Sequence, residues 1–97
     1  MNLGDSIKSI RKAKRIKQKD LAAAAGISAN ALHSIEAGIS MPAIATLQRL
    51  AQVLDVPMSY ILVFSVTEDD VAEDKRTIFR QLMPLLKILL LPKEDEK

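Results

Sequence analysis

From Leu3 the apolar residues recur at Leu3, Ile7, Ile10 and Ala13, the spacing of a helix with one buried stripe, while cations take the other faces. This predicts a first helix over 3–14. Gln18 to Ala25 carries Leu21, Ala22 and Ala25 on one side, is rich in alanine, and stops at Gly26, which reads as a short second helix. Ser28 has the residue type and place of an N-cap, Leu32 and Ile35 form the buried pair behind it, and Gly38 suits the position after the last turn. A third helix is expected over 29–37. Beyond the turn Ile39-Ser40-Met41-Pro42, the series Ile44, Leu47, Leu50, Ala51, Leu54 predicts a fourth amphipathic helix ending near Asp55. Pro57 suits the first turn of a short fifth helix containing Ile61 and Leu62.

The remainder has a different pattern. Thr67 and Asp70 form a Thr-x-x-Asp capping sequence, and Glu68, Asp69, Asp70 and Glu73 would sit near the positive end of a helix dipole, so a long helix is expected to start here. Its apolar positions are Val71, Ile78, Leu82, Leu85, Leu86 and Leu89, and the stretch Leu85-Leu86-Lys87-Ile88-Leu89-Leu90-Leu91 is apolar on nearly every side. Pro84 should kink or restart the helix, because it lacks the N–H that the hydrogen-bond ladder needs. Lys93 to Lys97 read as a frayed tail.

Composition narrows the class. A chain of 97 residues with 48% in the hydrophobic set and 27% charged has enough apolar material for one core and enough charge for solubility. The three aromatic residues are Tyr60, Phe64 and Phe79, and the apolar content is mostly Ala, Leu and Ile, so an all-α fold is expected. There is no cysteine, which excludes a disulfide framework and a thiolate metal site, and the single histidine, His33, leaves too few nitrogen ligands for zinc. No metal and no cofactor are expected. The first residues lack a basic segment followed by an apolar run, and no stretch approaches the roughly 18 apolar residues of a membrane span, so a cytoplasmic chain with no membrane partner is expected.

The net charge of +2 hides a lopsided distribution. Lys8, Arg11, Lys12, Lys14, Arg15, Lys17 and Lys19 fall in the first nineteen residues against Asp5 alone, whereas residues 20–63 hold one cation, Arg49. Two readings of the basic third stand side by side, a footprint for a polyanion and a solvated helix face.

Two short helices joined through Gly26 make a helix-turn-helix arrangement, with Ala22 small where they cross and Ile27, Leu32 and Ile35 anchoring the second against the first. Over residues 3–63 the sequence resembles the Cro/CI-type (XRE-like) helix-turn-helix family of bacterial and phage regulators. The resemblance rests on Leu3, Ile7, Arg11, Gln18-x-x-Leu21-Ala22-x-x-Ala25-Gly26-Ile27-Ser28, Leu32-x-x-Ile35-Glu36-x-Gly38, Pro42, Leu47, Leu50-Ala51 and Leu54-x-Val56. It implies a five-helix domain whose third helix enters the DNA major groove, with Ser28, Ala29, Asn30, His33 and Ser34 facing bases. Asn30 suits an adenine edge and Ala29 a thymine methyl, while Ser34 and His33 can bond to bases or phosphates. It also implies phosphate contacts at Lys17, Gln18 and Lys19, helped by the backbone N–H groups that open helices two and four, and a structural ion pair between Arg11 and Glu36. Arg15 stands where the family usually has glycine and Lys17 where it usually has Ser or Thr, so helix one is expected to end differently. No Lys or Arg occurs between Asp20 and Gln48, which lowers the phosphate attraction expected of one copy and makes pairing of two copies more necessary.

The plainer readings remain beside these. His33 is equally consistent with an exposed residue of no role, and Ser28 and Thr67 read as caps before anything else. No Ser, Asp or Lys has the company a catalytic constellation needs, so no active site and no enzyme are expected. The residues from 78 to 91 fit the core of the monomer, a homodimer seam or the filling of a partner's groove; the seam, through Ile78, Leu82, Leu85, Leu86 and Leu89, is favoured because the five-helix unit already closes its own core in the family. The division expected is therefore a DNA-binding domain over 1–64 and a helical dimerisation extension over 65–97. The expected function is a sequence-specific, repressor-like regulator binding double-stranded DNA at a pseudo-palindromic operator as a homodimer. The alternative is a protein-interaction module that keeps the fold with little DNA affinity.

Overall fold

The structure is a computed structural model and describes residues 1–92; the expected frayed tail, Lys93–Lys97, lies outside the described residues. Six α-helices and no strand occur among the described residues: α1 (Leu3–Ala13), α2 (Gln18–Ala25), α3 (Ala29–Glu36), α4 (Ile44–Leu54), α5 (Met58–Phe64) and α6 (Arg76–Leu90). The first five match the helices expected from the apolar spacing, with ends shifted by a residue or so. Their inward faces supply one core, in which Ile7 and Ile10 of α1, Leu21 of α2, Leu32 of α3, Leu50 and Leu54 of α4 and Ile61 of α5 are fully buried.

The turns between these helices share one closure. After each of α1 to α4 a residue takes the left-handed conformation: Arg15 at φ +60°, Gly26 at +75°, Gly38 at +79° and Asp55 at +57°. The following N–H then bonds back across five residues, Ile16 to Arg11, Ile27 to Ala22, Ile39 to Ser34 and Val56 to Ala51, at 2.9–3.1 Å. These bonds satisfy carbonyls that a helix end otherwise leaves open. Glycine takes that conformation freely, whereas Arg15 and Asp55 adopt it against a steric cost. α1 thus closes through a left-handed Arg15, as α2 and α3 close through left-handed glycines.

Buried and partly buried polar contacts at three junctions set the helix orientations. The Glu36 carboxylate at the end of α3 accepts a two-pronged pair from Arg11 of α1, Nε to Oε2 at 2.8 Å and Nη2 to Oε1 at 3.0 Å. Gln18 Nε2, at the start of α2, donates to the same Oε1 at 3.0 Å, and Arg11 Nη1 donates to the Ile16 carbonyl at 3.0 Å. Ser6 Oγ of α1 donates to the Ile61 carbonyl of α5 at 2.6 Å. Arg49 Nε of α4 donates to the Ala25 carbonyl at the end of α2, 3.0 Å, placing a cation at the negative end of that helix. Where α1 meets the end of α3 the backbones approach so closely that a Cβ on Gly4 would run into the carbonyl oxygens of Ile35 and Glu36.

The expectation of a long helix from Thr67 is overturned. Thr67 and Asp70 do form a capping box, but it closes only a 3-10 turn over Glu68–Asp70. Val71 and Ala72 are extended, a second 3-10 turn covers Glu73–Lys75, and α6 begins at Arg76. Arg76 Nε bonds the carbonyls of Glu68 and Val71 at 3.0 and 3.2 Å, and Arg80 Nε reaches Glu68 Oε1 at 2.8 Å, so the bend is tied from the helix it precedes. The Asp70 carboxyl is held below the usual carboxylate range by hydrogen bonding to the Met1 ammonium, 2.7 Å away, and then to the Thr67 N–H. Its contribution is present above the ordinary carboxylate range and fades as pH falls through its lowered value.

Pro84 neither ends nor restarts α6, which is continuous across it, and the ring lies on the exposed side. The helix presents two apolar stripes. Met83, Leu86 and Leu90 are half-buried against the core of the five-helix unit, whereas Ile78, Leu82, Leu85, Ile88 and Leu89 stand exposed. Leu86, expected beside Leu82 and Leu85 on a pairing face, thus belongs to the inward stripe.

Two stability changes follow. Gly4→Ala should cost about 1–3 kcal/mol in urea unfolding although alanine is the better helix former, because the obstructing atoms are backbone and have no rotamer to yield. Glu36→Ala should cost about 3–5 kcal/mol, since it strands a guanidinium whose side chain is only 10% exposed, and Arg11→Met with Glu36→Leu should recover much of that loss in the same assay.

Candidate nucleic-acid interface

The α2–α3 pair presents one edge of the molecule to solvent. Gly26 in its left-handed turn sends the chain back across α2, and Leu32 and Ile35 anchor the inner side of α3. Its outer side carries Ser28, Ala29, Asn30 and His33, all exposed, and the half-buried Ser34. These are the residues expected to face bases, and they share the free face of one helix. Ser28 Oγ accepts from the Ala31 N–H at 3.0 Å, so Ser28 caps α3 and keeps its hydroxyl proton for another acceptor.

Electrostatics on either side of α3 come from helix ends and from α1. The N-terminus of α2 follows Lys17 and that of α4 follows Ala43, and neither has a side-chain cap. Both therefore keep backbone N–H groups available to an anion. Lys17 and Lys19 are exposed at the first of these ends, while Gln18 is half-buried and spends one amide proton on Glu36.

Lys8 belongs to the basic third that the sequence leaves open between a polyanion footprint and a solvated face. Together with Gln18 and His33 it borders a notch of about 170 Å³ whose lining includes Arg11, Glu36 and Ala37. The notch brings an ammonium, an amide and an imidazole together at its rim over a carboxylate already held by Arg11 and Gln18. The signal was present in the spacing, because Lys8 stands one turn ahead of Arg11 on α1. Met41 and Arg49 were also passed over. Arg49 ties α4 to α2, and Met41 lies exposed in the loop after α3. Among the described residues no group of three or more His, Cys, Asp or Glu is placed to hold a metal, and no helix is long and apolar enough to cross a membrane.

Comparison with known proteins agrees with this geometry. The family described as Helix-turn-helix matches residues 7–61, more than half the chain. A 10 kDa protein of the ImmF control region of Bacillus phage phi105 is 38% identical over 72 residues, covering 74% of this chain and 77% of that one. Among solved structures, the clp gene regulator ClgR from Corynebacterium glutamicum superposes with a TM-score of 0.65 at 19% identity, over 91% of this chain and 86% of that one. A SinR protein/SinI protein complex contains a chain that superposes with a TM-score of 0.61 at 26% identity, over 90% of both. With the family match spanning three of the five core helices whole and the other two in part, and the free face of α3 beside two uncapped helix ends, the chain belongs to the Cro/CI-type (XRE-like) helix-turn-helix family of DNA-binding transcriptional regulators.

Proposed function

We propose that the chain is a homodimeric, repressor-like regulator that recognises a pseudo-palindromic operator through α3. The observation carrying this reading is the neutral, solvent-facing side of α3 set between the uncapped N-termini of α2 and α4. Ser28, Ala29, Asn30, His33 and Ser34 take the base edges, with Asn30 matched to adenine and Ala29 to a thymine methyl. Lys17, Gln18 and Lys19 take phosphates at the start of α2, and Lys8 adds one across the notch it shares with His33. Residues 1–64 form the DNA-binding unit and 65–97 the dimerisation extension.

Homodimerisation follows from two observations. The reading face holds no Lys or Arg between Asp20 and Gln48, so each copy neutralises few phosphates, and two linked copies multiply what one lacks. The outer stripe of α6, Ile78, Leu82, Leu85 and Leu89, adds a continuous exposed apolar surface to a unit whose core is already closed. A two-fold pairing along that stripe covers it in both copies at once.

Selection of random duplexes at two salt concentrations should recover a two-fold symmetric motif with half-sites roughly 34 Å apart or a multiple of it. Weak, salt-labile binding with no motif would overturn the reading and leave the interaction module. Asn30→Ala with Ser34→Ala should change the selected sites, and unchanged sites at unchanged affinity would remove these residues from the base contacts. Leu82→Asp with Leu89→Asp should give monomers by light scattering, and a persistent dimer would move the seam away from α6.

A further inference from the structure

Three large apolar side chains stand in the open beside the reading helix. Ile39 is 78% exposed, Met41 79% and Ile44 69%, and no charged residue occurs between Glu36 and Arg49. Such exposure calls for an apolar partner, because a phosphate finds no cationic side chain here and water gains nothing. The loop is held in place relative to α3. The N–H groups of Ile39 and Ser40 both donate to the Ser34 carbonyl, at 2.9 and 3.2 Å, behind the left-handed Gly38, and Pro42 restricts the chain just before α4. Met41 borders a cleft of about 460 Å³ whose other walls include Asn30, Ser34 and Thr46. Its thioether therefore extends the surface of side chains proposed to read bases.

We propose that Met41, flanked by Ile39 and Ile44, reads the C5-methyl group of a thymine adjoining the base pairs taken by Asn30 and Ser34; this rests on the reading of α3 as the major-groove helix. In the major groove the apolar feature that distinguishes one base from the others is that methyl. An unbranched thioether with three rotatable bonds can settle against it without demanding one rotamer. A cleft shared with Asn30 and Ser34 favours a base edge over a protein partner, since its polar walls continue the proposed reading surface. The loop thus supplies dispersion contact and sequence preference where a basic loop would supply salt-dependent phosphate contact.

The test uses the full chain and a duplex carrying the selected motif, with each thymine replaced singly by deoxyuridine, which removes the methyl and nothing else. Besides the thymine taken by Ala29, one further thymine in each half-site should be found whose replacement weakens wild-type binding about fourfold, the effect of one buried methyl-sized group, and it is at this position that the Met41 variant is compared. Met41→Ser should bind the thymine and deoxyuridine duplexes equally while keeping the wild-type salt slope. Met41 is exposed, so its variant should melt with the wild type, and an Ile39→Ser variant provides a second exposed change expected to reduce the discrimination only partly. If wild type binds the motif yet discriminates at no thymine that Met41→Ser ignores, this inference fails while the reading of α3 stands. If wild type selects no motif at all, the reading of α3 fails and takes the inference with it.

Discussion

The arrangement of the reading helix depends on one buried carboxylate. Glu36 accepts two hydrogen bonds from Arg11 and one from Gln18, so the end of α3 is tied to the last turn of α1 and the beginning of α2 by a single side chain. A carboxylate with 3% of its side chain exposed gains little net stability from pairing, because both charges were well solvated before folding. What it gains is direction. Guanidinium and carboxylate meet as two parallel bonds in one plane, which fixes angle as well as distance. The leucines and isoleucines of the core tolerate small rotations of α3 against its neighbours, and the planar pair does not. Gly4 lies at the same junction and lets the α1 and α3 backbones approach to the distance the pair requires.

Around that junction charge is divided by function. The cations of the first nineteen residues include one that is nearly buried, Arg11, and several that stay exposed, Lys8, Lys17 and Lys19 among them. The α3 face and the loop behind it carry none. In the proposed mode of binding, attraction to a polyanion is concentrated on one flank, while discrimination falls to neutral groups whose contacts are short-ranged and shielded little by salt.

Much of this was legible in the residues. The five core helices follow from apolar spacing and from turn residues at 26 and 38, and the exposed face of α3 follows once Leu32 and Ile35 are placed inside. The failures share a cause. Thr67 and Asp70 satisfy each other within four residues, and that local bargain is the same whether a long helix or one 3-10 turn follows. The choice was made by Arg76 and Arg80, which reach back to Glu68 from the next element. Gly4 looked like an indifferent helix residue because its reason lies in the carbonyls of α3, over thirty positions away in the chain. Leu86 was put on the wrong face of α6 since a helix apolar on nearly every side has no single stripe to read. Of the residues proposed to contact DNA, Lys8 was hidden by its many charged neighbours, and Met41 by looking like an ordinary turn residue.

The two-sided character of α6 has a dynamic consequence. None of its residues is buried to the degree of the core, and its inward contacts, Met83, Leu86 and Leu90, lie on the rim of a hydrophobic interior already complete without them. With no buried residue of its own, α6 is expected to open at a lower free-energy cost than the unit it leans on. Anything that covers its outer side raises the protection of its amides. In the proposed homodimer, the distance separating the two α3 helices would then depend on how firmly a weakly anchored segment is closed.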